Sequence, residues 1–287
     1  MTLTRWAVVV ALAGMVLASP IDAGAIVIFS DAGANALAIQ DTVDAYRAAL
    51  GDPNNGNAPG PLATGRREIN WDGGGPPVIN GTAPATPFVV FRNTRGATFT
   101  TPGAGLTQAA ATGGLLSLDL INPTYAALFA PFSPNRLFTP LGSNVTDGFF
   151  SIPGSGGTVA AGVRGFGAVF SDVNLPDTTT IAYFDTDGDS LGVFNVPAFA
   201  GDQTFSFFGI ITDANDLIGS IRIVTGSAAL GPNESPTLDL VVMDDFFYGE
   251  PQVPIAQVPQ PWPIYLLGLG LLGLAALSRL GRVGPRS

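Results

Sequence analysis

The chain has no cysteine and no histidine, and all 12 of its basic residues are arginine, so it has no lysine either. Each absence excludes a chemistry. Without histidine or cysteine there is no Ser-His-Asp or Cys-His nucleophile pair and no zinc site built on those ligands. Without lysine there is no Schiff base and no phosphate-binding Walker lysine. Without cysteine there is no disulfide, so stability must come from core burial, helped by any bound ions. Positive charge is scarce throughout. Between residues 26 and 252 there are 8 arginines against 21 acids, a formal charge of −13. That surface is a poor match for nucleic acid, whose phosphates demand positive charge. It suits divalent cations, neutral glycans and other matrix polymers.

What is abundant is glycine and proline, 37 and 24 in 287 residues. Such a composition implies many turns and few long helices. The two ends are different in kind from the middle. Arg5 supplies a positive start, Trp6 to Ala18 an apolar stretch, and Ala23-Gly24-Ala25 a small-x-small cleavage site. This is the pattern of a secretory signal peptide, residues 1–25, with the mature chain beginning near Ile26. At the other end a Pro-rich linker, 253–261, leads to an apolar run from Trp262 to Ser278 and a tail, 279–287, that carries Arg279, Arg282 and Arg286. As a helix the 17-residue run extends roughly 25 Å, enough to span a thin or locally dimpled bilayer. Trp262 and Tyr265 then lie at the outer interface and the arginines stay on the cytoplasmic side. Both ends predict one topology, with the body outside the cytoplasm. Gly268, Gly270 and Gly273 match a dinucleotide-binding glycine pattern, but no strand precedes them and no acid follows, so they are assigned to close helix packing.

The order of Val258, Pro259, Gln260, Pro261, apolar helix and arginine cluster resembles the PEP-CTERM sorting signal, with glutamine in place of the middle glutamate. The resemblance implies recognition by exosortase, a membrane-embedded cysteine transpeptidase of Gram-negative bacteria. It implies transient residence in the inner membrane, removal of the tail, and delivery to the cell envelope or exterior in association with exopolysaccharide or biofilm matrix. Gly65–Gly73, Asn122–Tyr125, Phe132–Phe138, Gly165–Val173 and Met243–Pro251 also resemble segments of exported bacterial proteins of unassigned activity, many with PEP-CTERM tails.

The body, residues 26–252, reads as β-rich. Ala25 to Phe29 is strand-like, and Ile39 to Leu50 has apolar residues at helical spacing with Gly51 as its cap. Arg66 to Asp72 alternates, with Arg66, Glu68, Asn70 and Asp72 on one face and Arg67, Ile69 and Trp71 on the other. Further strands are expected near Phe88–Arg92, Ala97–Thr101, Leu115–Ile121, Thr146–Ile152, Val159–Val163, Phe166–Phe170, Thr178–Phe184, Leu191–Val196, Thr204–Thr212, Ile218–Thr225 and Leu238–Tyr248. The expected fold is mostly β: an antiparallel β-sandwich, jelly-roll-like, with one N-terminal amphipathic helix and a C-terminal transmembrane helix.

Three sets of residues are candidates for a site. Asp185, Asp187 and Asp189 alternate around Gly188, as oxygen ligands do in calcium loops, although a solvated hairpin turn accounts for the same residues. Glu68 and Asp72 share a strand face. First and last strands of a jelly roll are neighbours, so Asp244 or Asp245 is expected beside them, to chelate calcium or pair with Arg66 or Arg67; the arginine pairing is the stronger reading. The same carboxylates are the only equipment for glycoside hydrolysis by paired acids. Trp71 and Tyr125 are candidates to stack on sugar rings, against the ordinary role of a core aromatic. The sequence therefore points to an exported, non-catalytic surface or matrix protein. The alternatives are a carbohydrate-binding module, with or without calcium, and a carboxylate-based glycan hydrolase.

Overall fold

A computed structural model of the chain describes residues 25–73, 83–213 and 216–254. The chain divides into two compact units, Met1–Val253 and Pro254–Ser287, and nearly all the described residues belong to the first. Most of it folds into two antiparallel sheets. The larger sheet orders its strands β1 (Val27–Gly33), β10 (Phe205–Ile211), β7 (Gly165–Ser171), β12 (Val242–Gly249), β5 (Leu137–Leu141) and β4 (Gly105–Ala109), with β2 (Arg66–Ile69) also on β12. The smaller orders β3 (Ala97–Thr100), β6 (Val145–Phe150), β11 (Ile218–Val224), β8 (Thr180–Asp185) and β9 (Ser190–Asn195).

The main core lies between the sheets. Phe166, Ala168, Phe170, Phe208, Ile210, Phe246 and Tyr248 come from the larger sheet and meet Phe99, Phe150, Ile181, Tyr183, Ile221 and Ile223 of the smaller. A second core covers the opposite face of the larger sheet. There α1 (Ala36–Leu50) lays Ile39, Val43, Tyr46 and Leu50 against Val169, Phe207 and Phe247. The helix starts where the Asn35 side chain accepts from the Ala38 N–H, and ends at Gly51, whose positive φ suits glycine. Because β7, β10 and β12 are covered on both faces, every residue in them is buried. That explains why β7 and β10 read as largely apolar runs rather than alternations, while β12 carries Asp244 and Asp245 into the interior.

Several expected strands take other forms. Leu115–Ile121 is not a strand but a loop with a 3-10 turn at Leu118–Leu120. Asp119 there accepts from the Ser117 and Thr112 hydroxyls, a local arrangement that competes with ladder bonds. Of Phe88–Arg92 only Phe88 bridges to Phe99, and the remainder turns back on itself through Arg95 N–H to the Phe91 carbonyl. Val159–Val163 contributes isolated bridges rather than a strand. Two strands were not expected, β4 and β5, along with a short helix α2 (Tyr125–Leu128). Pro140 lies inside β5, a residue that argues against a strand when only sequence is read. Among the described residues no helix is long and apolar enough to cross a membrane, and the expected span 262–278 lies outside them.

Candidate functional site

The edge of β12 is shared by two partners. Met243 pairs with Phe138 of β5, while Phe246 to Gly249 pair with β2, and a bulge separates the two registers. Asp244 and Asp245 occupy that bulge. The residues that follow β2 and those that precede β5 therefore converge on the same two acids. Trp71 donates its indole N–H to the Asp244 carbonyl at 2.9 Å. Phe132 N–H donates to Asp244 Oδ2, and Ser133 Oγ donates to Asp245 Oδ1 at 2.6 Å. Asp72 accepts from Arg136 N–H at 2.9 Å and has Ser133 Oγ at 3.4 Å. Of the expected group of Glu68, Asp72 and Asp244 or Asp245, Ser133 links Asp72 and Asp245, with Asp244 beside them in the bulge.

Glu68 belongs to an adjoining network. Its two oxygens accept from Arg66 Nε at 2.6 Å and Arg47 Nε at 3.3 Å. Arg47 also reaches Asp245 Oδ2 at 3.9 Å and lies over the Phe247 ring at 4.6 Å. Arg67 takes no part; its guanidinium pairs with Glu250 on the other face. Helix α1 supplied Arg47, which no motif in the sequence had singled out.

Burial dominates the electrostatics. Asp244 is wholly buried, which raises its pKa well above the ordinary aspartate value, and the neighbouring Asp245 raises it further. Asp245 is raised chiefly by burial too, while Ser133, Asp244 and Arg47 pull it back down. Burial and the adjacent Asp245 both favour the neutral form of Asp244. Its Oδ2 accepts from Phe132 N–H, while its buried Oδ1 has no hydrogen-bond partner. Asp72 is raised as well, by burial first.

Trp71 is fully enclosed. It stacks on Phe138 with ring centroids 3.7 Å apart and meets Phe246, Phe91, Phe99 and Phe88 edge-on or tilted. Its ring has no exposed face for a sugar, which corrects its candidacy as a stacking platform. Tyr125 is also buried, bonded through its hydroxyl to the Pro232 carbonyl. Among the described residues no group of three or more acidic side chains is gathered as a metal centre requires. In the β8–β9 hairpin, Asp185 Oδ1 accepts from Asp187 N–H at 2.9 Å and Asp189 N–H at 2.8 Å, so that aspartate folds its own turn. Ala25 is exposed. Ala23, Val258, Pro259, Gln260, Pro261, Arg279, Arg282 and Arg286 lie outside the described residues.

Sequence reading missed Asp172 and Glu234. Asp172 follows the apolar strand β7 directly, and that was its one local signal. Burial, then Glu234, Asp202 and Asp239, push its carboxyl up to about 9. No known protein family matches the chain, and neither a curated protein nor a solved structure matches it.

Proposed function

We propose that the chain is an exported, non-catalytic surface or matrix protein whose β-sandwich is cargo for a C-terminal PEP-CTERM-like signal. The observation that carries this reading is where the compact body stops. Gln252 is still tied down, by main-chain bonds to Gly162 and a side-chain bond to the Leu62 carbonyl, and the compact unit ends at Val253. The Pro-rich linker, the 17-residue apolar run and the arginine tail come directly after it in the sequence. A folded body followed by a short greasy stub and a cationic end suits a transpeptidase that acts at the membrane surface. The partners in this reading are an exosortase-type transpeptidase, the inner membrane and exopolysaccharide.

A jelly-roll-like topology is part of the proposal. Strands β2, β12, β7 and β10 are successive neighbours in one sheet, and β6, β11, β8 and β9 in the other. That interleaving, in which the chain keeps crossing between sheets, supports two nested Greek keys. Acids at the bulge are engaged by Ser133, Arg47 and main-chain N–H groups, which supports a structural rather than a catalytic use of them.

The test is the intact mass of the protein recovered from envelope and medium, with and without the host transpeptidase. Loss of both ends, with the C-terminal cut near Pro259–Pro261 and only when the transpeptidase is present, supports the proposal. A full-length soluble cytoplasmic species, or a tail cut that ignores the transpeptidase, overturns it.

A further inference from the structure

Four acids gather at one end of the sandwich, remote in sequence and brought together by three connections. Asp172 leaves β7, Asp202 precedes β10, and Glu234 and Asp239 lie between β11 and β12. Register places these ends side by side, since Ser171 faces both Phe205 and Val242. The amide nitrogen of Asn174 bridges Asp172 Oδ2 at 3.2 Å and Glu234 Oε2 at 3.1 Å. One amide thus brings the carboxyls of Asp172 and Glu234 together from separate loops. Asp239 is differently occupied, accepting from Asn174 N–H and the Thr178 hydroxyl, so it fixes the loop that carries Asn174.

Two features of this group point to a ligand. Asp172 is wholly buried, yet its Oδ1, on the carboxyl that faces Glu234, has no donor. Among the described residues no ion pair joins an arginine to any of the four acids; the ion pairs there involve Arg47, Arg66, Arg67 and Arg222. A buried carboxylate without a donor or a counter-charge is strongly unfavourable.

We propose that Asp172 and Glu234 are the carboxylate ligands of a bound calcium ion, with Asp202 on the solvent side and water completing the shell. Only these two carboxylates are bridged by the Asn174 amide, which is why the group is not a three-acid cluster. Calcium accepts an irregular, partly hydrated set of oxygen ligands, whereas magnesium demands a regular octahedron. Glu234 is half-buried and Asp202 exposed, and they mark the path by which the ion enters. The site is separate from the Asp185–Asp189 turn and from the β12 bulge.

The experiment is thermal unfolding of the full-length chain in detergent after chelator treatment, with CaCl2, MgCl2 or NaCl at matched ionic strength. For a dissociation constant of about 0.1–1 mM, usual for extracellular sites, about 10 mM CaCl2 raises Tm by roughly 3–10 °C. The rise is lost in Asp172→Asn and Glu234→Gln and kept in Asp187→Asn and Asp245→Asn. If Asp172→Asn fails to fold, Glu234→Gln decides, because its side chain is half-exposed. The proposal falls if CaCl2 does no more than NaCl, if the rise survives Glu234→Gln, or if MgCl2 matches CaCl2. In the first two cases the carboxyl pair holds only a proton.

Discussion

Arg67 and Glu250 form a two-pronged ion pair inside the protein, Nε to Oε2 at 2.6 Å and Nη2 to Oε1 at 2.7 Å, both side chains buried. Arg67 also donates to the Gly56 and Ala58 carbonyls, and Glu250 accepts from Leu62 N–H and the Asn55 amide. The pair therefore locks the Pro/Gly/Asn loop before β2 onto the end of β12. In a chain without disulfides it does locally what a cross-link does elsewhere. Glu250→Gln strands a buried guanidinium, so it is expected to lower stability by about 3–5 kcal/mol. Arg67→Lys is no rescue, since a lysine cannot make the forked contact. Urea denaturation measures both; a loss under about 1 kcal/mol for Glu250→Gln would mean the pair is dispensable.

Tyr46 reaches the sheet through a gap made by two glycines. Gly167 and Gly209 are register partners on β7 and β10, and the Tyr46 ring lies over them with its hydroxyl bonded to the Ile210 carbonyl at 2.9 Å. A Cβ at Gly167 would sit 2.8 Å from Tyr46 Cε1, and one at Gly209 2.9 Å from Cε2 and Cζ. Gly209→Ala is expected to cost about 1–3 kcal/mol by overpacking. The Tyr46→Leu background, which removes the clashing ring, should recover part of it. Thermal melts of the two singles and the double give the coupling, and strict additivity would rule out the contact as the cause.

Helix α1 and strand β2 were legible in the sequence because their burial follows simple periods, and β7 and β10 because they are long apolar runs. Ile39, Val43, Tyr46 and Leu50 share a helix face, and Arg67, Ile69 and Trp71 share a strand face even though Trp71 itself lies beyond the strand at φ 62°. The approach of Asp72 to Asp244 and Asp245 was legible only in part. The last strand, β12, is beside β2, whereas the first strand, β1, pairs with β10. Glu68, expected in the same group, is held by Arg66 and Arg47. What stayed hidden depends on distant partners. Strand β5 contains Pro140, and β4 shows no alternation because all five of its residues are buried. Arg47 enters the bulge only because α1 packs across the sheet. Asp172 and Glu234 share no motif, since three separate loops assemble them.

Burial and the adjacent Asp245 favour the neutral form of Asp244, so an uncharged isostere should serve at its position. Asp244→Asn keeps an acceptor for Phe132 N–H and turns a donor toward Asp245. Its expected stability is within about 1 kcal/mol of the unmodified protein near neutral pH. Asp244→Ala strands the Phe132 N–H and should cost about 1–3 kcal/mol. Chemical denaturation near pH 7 separates them. If asparagine is as damaging as alanine, the carboxyl at 244 is ionised in the folded chain.

Asp172 sets a pH dependence of a definite sign when calcium is removed. In the folded chain burial, then the facing Glu234, Asp202 and Asp239, raise its pKa to about 9. In the unfolded chain it titrates near ~4, the ordinary aspartate value. Between those values the folded state carries the extra proton, so stability is highest at the acidic end and falls as pH rises toward 9. Asp172→Asn removes this contribution because asparagine is neutral throughout. In chelator at pH 8 the variant should exceed the unmodified protein by roughly 1–3 kcal/mol, with the gap closing toward pH 4. Urea midpoints at several pH values follow the gap directly. Parallel profiles for the two proteins would show that Asp172 is ionised when folded, and that another cation compensates it.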